Sequence, residues 1–240
     1  MRKILITNDD GITSAGLVRL AEEAVKLGEV WIVAPDHERS AASHSISLRH
    51  HLDVFPYTFP VEGVKAYSCT GTPADCIRVG CLAVMPQKPD VVLSGINYGY
   101  NCATDLQYSA TAGAAFEGVF QGVRSIALSE NAGECHEVTD AYLHEILEEY
   151  IDADWKAMNI INVNFPGCRL VDFKGIIRDC KVSMGSFFKD SYPEIEKIGD
   201  GGMRLKVDGR YNEDAEDDTD FKAIVTGHIA IGNVSNVGFE

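Results

Sequence analysis

Apolar positions follow two rhythms along this chain. Ile4 to Thr7 is a short unbroken run ending at Asn8-Asp9-Asp10-Gly11, after which Leu17, Leu20, Ala21, Ala24, Val25 and Leu27 recur at helical spacing. Gly28 closes that helix, Val30 to Ala34 forms a second β-rich run, and Pro35 stops it before the polar stretch from Asp36 to Ser47. The result reads as a βαβ unit. Helical spacing returns over Asp75 to Val84, Ala112 to Gln121 and Ala141 to Ile151. Strand-like runs lie between and after them at Asp90 to Ser94, Arg124 to Ser129 and Ile160 to Phe165. Strands that are nearly continuously apolar and alternate with amphipathic helices predict an α/β fold, with a mainly parallel sheet covered by helices on both faces.

The texture changes after Pro166-Gly167. From Cys168 to Glu240 the apolar runs are brief, glycine is frequent, and an acidic stretch runs through Glu213, Asp214, Glu216, Asp217, Asp218 and Asp220. This predicts a catalytic-type core over residues 1–167 and a β-rich C-terminal arm over 168–240, within the same domain and without a low-complexity linker. The acidic stretch reads as a solvated loop.

The chain has 240 residues, enough for one sizeable core. Its 21 basic and 36 acidic side chains give a net charge of −15, a field that repels polyanions, so polymeric nucleic acid and anionic membrane are excluded as expected partners. No apolar run is long enough to span a bilayer, and Met1-Arg2-Lys3 leads directly into a strand rather than into a signal-peptide core, so a cytoplasmic protein is expected. Seven cysteines with no C-x-x-C pair suggest inert thiols instead of a disulfide framework or a thiolate zinc site. The histidines show no tight ligand spacing; only His37 and His44 fall near Ser40, as conceivable acids.

In open α/β sheets ligands bind beyond the carboxyl ends of the strands, and the loops there carry the candidate chemistry. Asp9 and Asp10 stand side by side, and a hard divalent cation such as Mg²⁺, Mn²⁺ or Ca²⁺ would relieve their repulsion. The same pair also reads as a helix cap with Gly11 supplying the turn, the commoner use of such residues. Ser109 to Gly113 places hydroxyls and small residues at a predicted helix N-terminus, a setting for phosphate or simply an ordinary cap. Asn97 and Asn101 supply amides in a glycine-containing loop that would also pass as a plain turn. Their succession after consecutive strands favours a metal-phosphate site suited to phosphoryl hydrolysis. Phe187-Phe188 fits either a base pocket or core packing.

Six segments together resemble the survival protein SurE family of metal-dependent nucleotidases. They are Ile-Thr-Asn-Asp-Asp-Gly at 6 to 11, Ala-Pro-Asp with Arg-Ser within 34 to 40, Thr-Gly-Thr-Pro-Ala-Asp-Cys at 70 to 76, Ser-Gly-Ile-Asn-Tyr-Gly-Tyr-Asn at 94 to 101, Tyr-Ser-Ala-Thr-Ala-Gly-Ala-Ala-Phe-Glu-Gly at 108 to 118, and Asn-Val-Asn-Phe-Pro at 162 to 166. The resemblance implies a Rossmann-like core and a phosphatase that hydrolyses nucleoside 5′- and 3′-monophosphates with a metal-activated water. It implies one divalent cation per subunit, Mg²⁺ or Mn²⁺, held by Asp9, Asp10, Ser40 and Asn97, with Asp9 and Asp10 central to catalysis. It further implies phosphate contacts from Ser109 and Thr111 with Asn101 close by, and a homodimer or homotetramer assembled through the arm. Short polyphosphate stays unranked against nucleotides as a substrate.

Glu38 stands where the family usually carries asparagine, Ala110 where glycine usually separates the phosphate-loop Ser and Thr, and Ala230-Ile231-Gly232-Asn233 replaces the usual tail motif. A non-catalytic nucleotide-binding module that retains the pocket is the alternative these departures allow.

Overall fold

The computed structural model describes residues 1–154, 158–212 and 214–236. Glu213 of the acidic stretch and residues 237–240 of the arm lie outside the described residues. In chain order the core elements are β1 (Lys3–Thr7), α1 (Ala15–Ala24), β2 (Glu29–Pro35), β3 (Val54–Tyr57), β4 (Lys65–Cys69), α2 (Pro73–Val79), β5 (Val91–Tyr98), α3 (Ala110–Phe120), β6 (Arg124–Glu130), α4 (Glu137–Tyr150) and β7 (Asn159–Phe165). The later segment supplies β8 (Ile176–Ile177), β9 (Phe188–Ser191), β10 (Glu194–Ile198), β11 (Gly202–Leu205), β12 (Asp208–Tyr211), α5 (Asp220–Val225) and β13 (Ile229–Ser235). Among the described residues no helix is long and apolar enough to cross a membrane.

The main sheet has the strand order β3-β4-β2-β1-β5-β6-β7-β13-β8. The run from β4 to β7 is parallel throughout, so the expected α/β fold with a mainly parallel sheet is present. The chain moves outward from β1 through β2 to β4, then returns to β5 and moves outward the other way. That reversal opens a crevice beyond the carboxyl ends of β1 and β5. Strand alternation divides the core: Ile4 and Ile6 of β1 pack with Leu17 and Leu20 of α1 and Leu143 and Ile146 of α4, whereas Leu5 packs with Ile77 of α2 and Ala114 of α3. Helices therefore cover both faces.

Several boundaries differ from the sequence expectation for identifiable reasons. The helix expected at Asp75 to Val84 begins at Pro73, because Thr72 and Asp75 form a reciprocal capping box, and it widens into a π turn over Gly80–Val84. The strand expected to end at Ser94 continues to Tyr98, and the helix expected from Ala141 begins at Glu137. The sequence reading assigned no element to 48–69, where β3 and β4 form an antiparallel pair at the sheet edge. β3 is half exposed and contains Pro56, which suits an edge and dilutes the alternating signal.

The segment after Cys168 is β-rich as expected, with two small antiparallel pairs, β10 with β11 and β12 with β9. Its last strand does not stay apart. β13 pairs antiparallel with β7 over six register positions and carries β8 on its other side. The solvated-loop reading of the acidic stretch holds for the exposed Asp214, Glu216, Asp217 and Asp218 and fails for Asp220. That residue opens α5 and is buried, its carboxylate accepting from the backbone N–H groups of Ser183 at 3.0 Å, Phe221 at 2.7 Å and Ala103 at 3.1 Å. One carboxylate thus joins the later segment to the loop that follows β5. Asp220→Ala leaves three buried N–H groups without an acceptor. The fold is expected to lose about 2–4 kcal/mol, measurable by denaturant unfolding, with Asp220→Asn intermediate.

Candidate functional site

The loop after β1 is built by Asn8, whose Nδ2 donates to the Gly11 carbonyl at 3.0 Å and to Ser14 Oγ at 2.7 Å. Ser14 in turn caps α1. This tight turn sets Asp9 and Asp10 at the crevice. Asp9 is buried, and Thr111 Oγ1 donates to its Oδ1 at 2.6 Å. Asp10 Oδ2 accepts from the Tyr98 N–H at 3.1 Å. Among the described residues no lysine, arginine or histidine pairs with either carboxylate. Burial raises the Asp9 carboxyl to about 7, against the lowering effect of Thr111, and the charges of Asp10 and Glu38 push the same way as burial. Burial also raises Asp10, partly offset by the Tyr98 N–H.

The loop after β2 is tied to the first: the Arg39 N–H donates to the Asp9 carbonyl at 2.7 Å. Ala41 and Ser43 lie in the left-handed region at φ 58° and 50°, turning the chain onto α3. There the Ser43 N–H and hydroxyl reach the carbonyls of Tyr108 and Gln107, each at 3.0 Å. Gly113 permits this approach, since a Cβ on it would stand 2.6 Å from the Ser43 carbonyl oxygen. The same turn brings Ser40 to the crevice, its hydroxyl donating to Glu38 Oε1 at 2.8 Å.

Beyond Ser94 the pairing of β5 with β6 shifts register before resuming at Asn97 with Ser129. Gly95 sits in this irregular stretch at φ 139°, with the Leu128 carbonyl only 2.2 Å from where a Cβ would be. Asn97 Nδ2 donates to the Gly99 carbonyl at 2.8 Å, which leaves its Oδ1 available as a ligand. Asn101 is gripped by β7: its N–H donates to Asn164 Oδ1 at 2.8 Å, and its carbonyl accepts from Asn162 Nδ2 at 2.8 Å and Asn164 Nδ2 at 3.0 Å. Its own amide donates to Ser129 Oγ at 2.8 Å.

Ser109 caps α3, accepting from the Ala112 N–H at 3.0 Å. The cap reading of this serine is therefore correct. It does not exclude a second role, because the hydroxyl proton and the first N–H groups of α3 remain to meet an anion.

Asp9, Ser40, Asn97, Asn101 and Ser109 border one cavity of about 340 Å³. Asp10 borders an adjoining cavity of about 330 Å³ with Arg19, Glu130 and His136, and Tyr98 walls both. Thr111 is fully buried behind Asp9, outside the residues lining either cavity, with its hydroxyl turned to that carboxylate. His37 pairs with Asp36 at 2.7 Å and His44 lies 2.8 Å from Glu117; neither lines the Asp9 cavity. Phe187 is buried against Tyr100 and Phe221, while Phe188 reaches the cavity wall, so the aromatic pair divides between core and pocket.

The sequence reading quoted Asn162 and Asn164 without giving them a task. Two amides at alternate positions of a wholly buried strand require partners, and that spacing was a signal for the clamp on Asn101. Asp105 and Asp190, which also border the cavity, carried no local signal.

The sequence profile described as Survival protein SurE matches residues 4–186. The chain belongs to the SurE family. A relative named 5′-nucleotidase SurE from Clostridium botulinum (strain 657 / Type Ba4) is 38% identical over 232 residues, covering 95% of this chain and 90% of its own length. Another of that name, from Brucella canis, is 35% identical over 238 residues with the same coverage. The crystal structure of the SurE protein from Aquifex aeolicus superimposes with a TM-score of 0.82 at 28% identity, covering 99% of this chain and 95% of that one.

The residues at the crevice fit a hard divalent cation. Among the described residues no three His, Cys, Asp or Glu side chains converge as a ligand group, so part of the shell has to come from neutral oxygens, which Ser40 and Asn97 offer. Thr111 and the Tyr98 N–H each fix one oxygen of Asp9 and Asp10, and no donor from another described residue reaches the second oxygen of either. In the cation-free protein Asp9 holds its proton up to about pH 7, which stabilises the fold at low pH and loses that contribution as pH rises from 3.8 towards 7. A cation held by Asp9 would have to displace this proton. Apparent Mn²⁺ affinity is therefore expected to rise up to about tenfold per pH unit below 7 and to level off above it, as measured by calorimetry.

Proposed function

We propose that the protein is a divalent-cation-dependent nucleotidase that hydrolyses nucleoside 5′- and 3′-monophosphates to nucleoside and phosphate. The observation that carries this reading is the buried, unpaired Asp9 carboxylate beside Asp10, sharing a cavity with Ser40, Asn97 and the capped start of α3. The names of the relatives support the substrate class.

Asp9, Asp10, Ser40 and Asn97 hold one Mg²⁺ or Mn²⁺ in this reading. Bound there, the ion would polarise a phosphoryl oxygen and lower the pKa of water to the range of a neutral-pH nucleophile. Ser109 and the opening N–H groups of α3 receive the phosphate and stabilise charge that grows on its oxygens as the ester bond breaks. Asn101 borders the same space, held in place by Asn162 and Asn164. Thr111 acts through Asp9, whose carboxylate it orients.

The protein is further proposed to assemble as a homodimer or homotetramer. The β10–β11 pair is not joined to the main sheet and exposes Ile195, Met203 and Leu205, and a lone two-stranded ribbon with apolar side chains in water is marginal without a partner. Seven free thiols fit a reducing compartment, and the cytoplasm is the proposed location.

Phosphate release from a panel of 5′- and 3′-nucleotides, with Mg²⁺, Mn²⁺ or chelator, tests the activity. Turnover is expected with either ion and lost with chelator, and Asp9→Asn is expected to lower kcat/KM at least about a hundredfold. Nucleotide binding by calorimetry without any phosphate release would favour the non-catalytic module instead. For the assembly, light scattering on the purified chain is expected to show a dimer or tetramer, and Ile195→Asp with Met203→Asp to shift it towards monomer.

A further inference from the structure

His44 follows Ser40 by four residues and lies outside the residues lining the Asp9 cavity. Its Nε2 stands 2.8 Å from Glu117 Oε2 on α3, and its ring meets that of Phe120 at 5.2 Å between centroids. Glu117 is buried and already gathers two other groups: Arg78 of α2 donates to its Oε1 at 3.0 Å, and Gln121 donates to the same oxygen at 2.7 Å. Burial pushes the Glu117 carboxyl up, but the bonds to His44 and Gln121 and the charge of Arg78 outweigh it and hold the group below its ordinary range. Asn236 Nδ2, just past β13, stands 3.5 Å from the other nitrogen of the His44 ring. The imidazole is thus a peg between the loop that carries Ser40 and a carboxylate fixed from several sides.

The loop needs such a peg. Ala41 and Ser43 hold φ of 58° and 50°, a conformation that non-glycine residues disfavour and that persists only where the surroundings over-determine it. Before this pair the chain is fixed by the Arg39 N–H on the Asp9 carbonyl; within and after it come the bonds of Ser43 to the start of α3 and then His44. Ser40 lies between those ties. The next ones, the Ser45 carbonyl to Thr72 and Ser47 to Asp75, lead away to α2. On α3, Ser109, Gly113 and Glu117 follow at four-residue intervals and share one stripe of the helix. That stripe carries the hydroxyl assigned to phosphate, the point where a Cβ would stand 2.9 Å from the His44 Cα, and the carboxylate that holds the imidazole. The loop therefore locates Ser40 relative to the same helix that presents Ser109.

We propose that His44, braced by Glu117, is a positioning residue that sets the distance between the cation half of the site at Ser40 and the phosphate half at Ser109. The proposal rests on the nucleotidase reading and adds to it a residue that touches neither ion nor substrate. Its test measures Mn²⁺ affinity and stoichiometry by calorimetry, without substrate and at one fixed pH. The proteins are wild type, Ser40→Ala, His44→Ala, His44→Gln and the double variant Ser40→Ala with His44→Ala. For the same set, kcat and KM are measured on a nucleoside 5′-monophosphate at saturating Mn²⁺. His44→Gln keeps a side-chain N–H that can reach Glu117, so the test stands even if His44→Ala does not fold.

His44→Ala is expected to weaken Mn²⁺ binding about threefold to tenfold with the stoichiometry unchanged, and at saturating Mn²⁺ to lower kcat at least about tenfold while KM moves less than about threefold. His44→Gln is expected to recover most of both losses. In the Ser40→Ala background the same loss of His44 is expected to change Mn²⁺ affinity less than about twofold, because the oxygen it positions is gone. A merely structural role would instead lower the number of competent sites and leave their affinity as it was. That outcome, or equal losses from His44→Ala with and without Ser40, overturns the inference while leaving the nucleotidase intact. A wild type that binds Mn²⁺ but hydrolyses no monoester overturns the nucleotidase reading instead, since the calorimetric cycle still reads the link from His44 to Ser40.

Discussion

Two carboxylates with no basic partner, set side by side at the end of a buried strand, are the electrostatic strain that the rest of this structure accommodates. Burial and neighbouring acidic charges disfavour their ionised form, offset in part by the Thr111 hydroxyl and the backbone N–H of Asp9 at Asp9 and by the Tyr98 N–H at Asp10. An arginine in the crevice would have relieved the strain and stabilised the fold. Arg19, which borders the cavity beside Asp10, is committed to Glu130 and Asp140, so neither carboxylate gains a basic partner among the described residues, an arrangement suited to the proposed cation. The surrounding loops are then fixed by bonds that do not involve these carboxylates' second oxygens: Arg39 to the Asp9 carbonyl, Ser43 to the Tyr108 carbonyl, and the amides of β7 to Asn101.

This arrangement also explains how a chain of charge −15 can take an anionic substrate. The global field works against the encounter, so in the proposed mechanism attraction has to be local: the proposed ion, with an open face, and the first N–H groups of α3. Such forces are strong over a few ångströms and fade within a Debye length. They reward a ligand only once it is already in the crevice, which suits discrimination better than long-range capture.

How much of this was legible in the sequence depends on whether a feature is local. The parallel core was legible because β1, β2, β5, β6 and β7 are buried on both faces for most of their length and α1 shows one apolar stripe. The position of the carboxylates was legible for the same reason, since a loop after a parallel strand can open only at one edge of the sheet. The edge strand β3 was not, because half-exposed positions and Pro56 erase the alternation. Asp220 read as one more acid in a solvated run, since only its three backbone donors, two of them from distant segments, distinguish it from Asp217 or Asp218. The bond from the Thr111 hydroxyl to Asp9 was likewise not legible, because it joins residues 102 positions apart. Of the residues that the resemblance to the SurE family singled out, Asp9, Ser40, Asn97, Asn101 and Ser109 border one cavity, while Thr111 lies behind Asp9.

The position of β13 has a consequence for how the molecule is made. It seals the flank of β7, yet it is encoded after the whole of the later segment. A ribosome therefore presents β7 with one row of amides and carbonyls open to its surroundings until that distant strand emerges, and an unsealed β7 is a template for pairing with any other nascent copy. That interval is when the sheet is most open to pairing with the wrong strand.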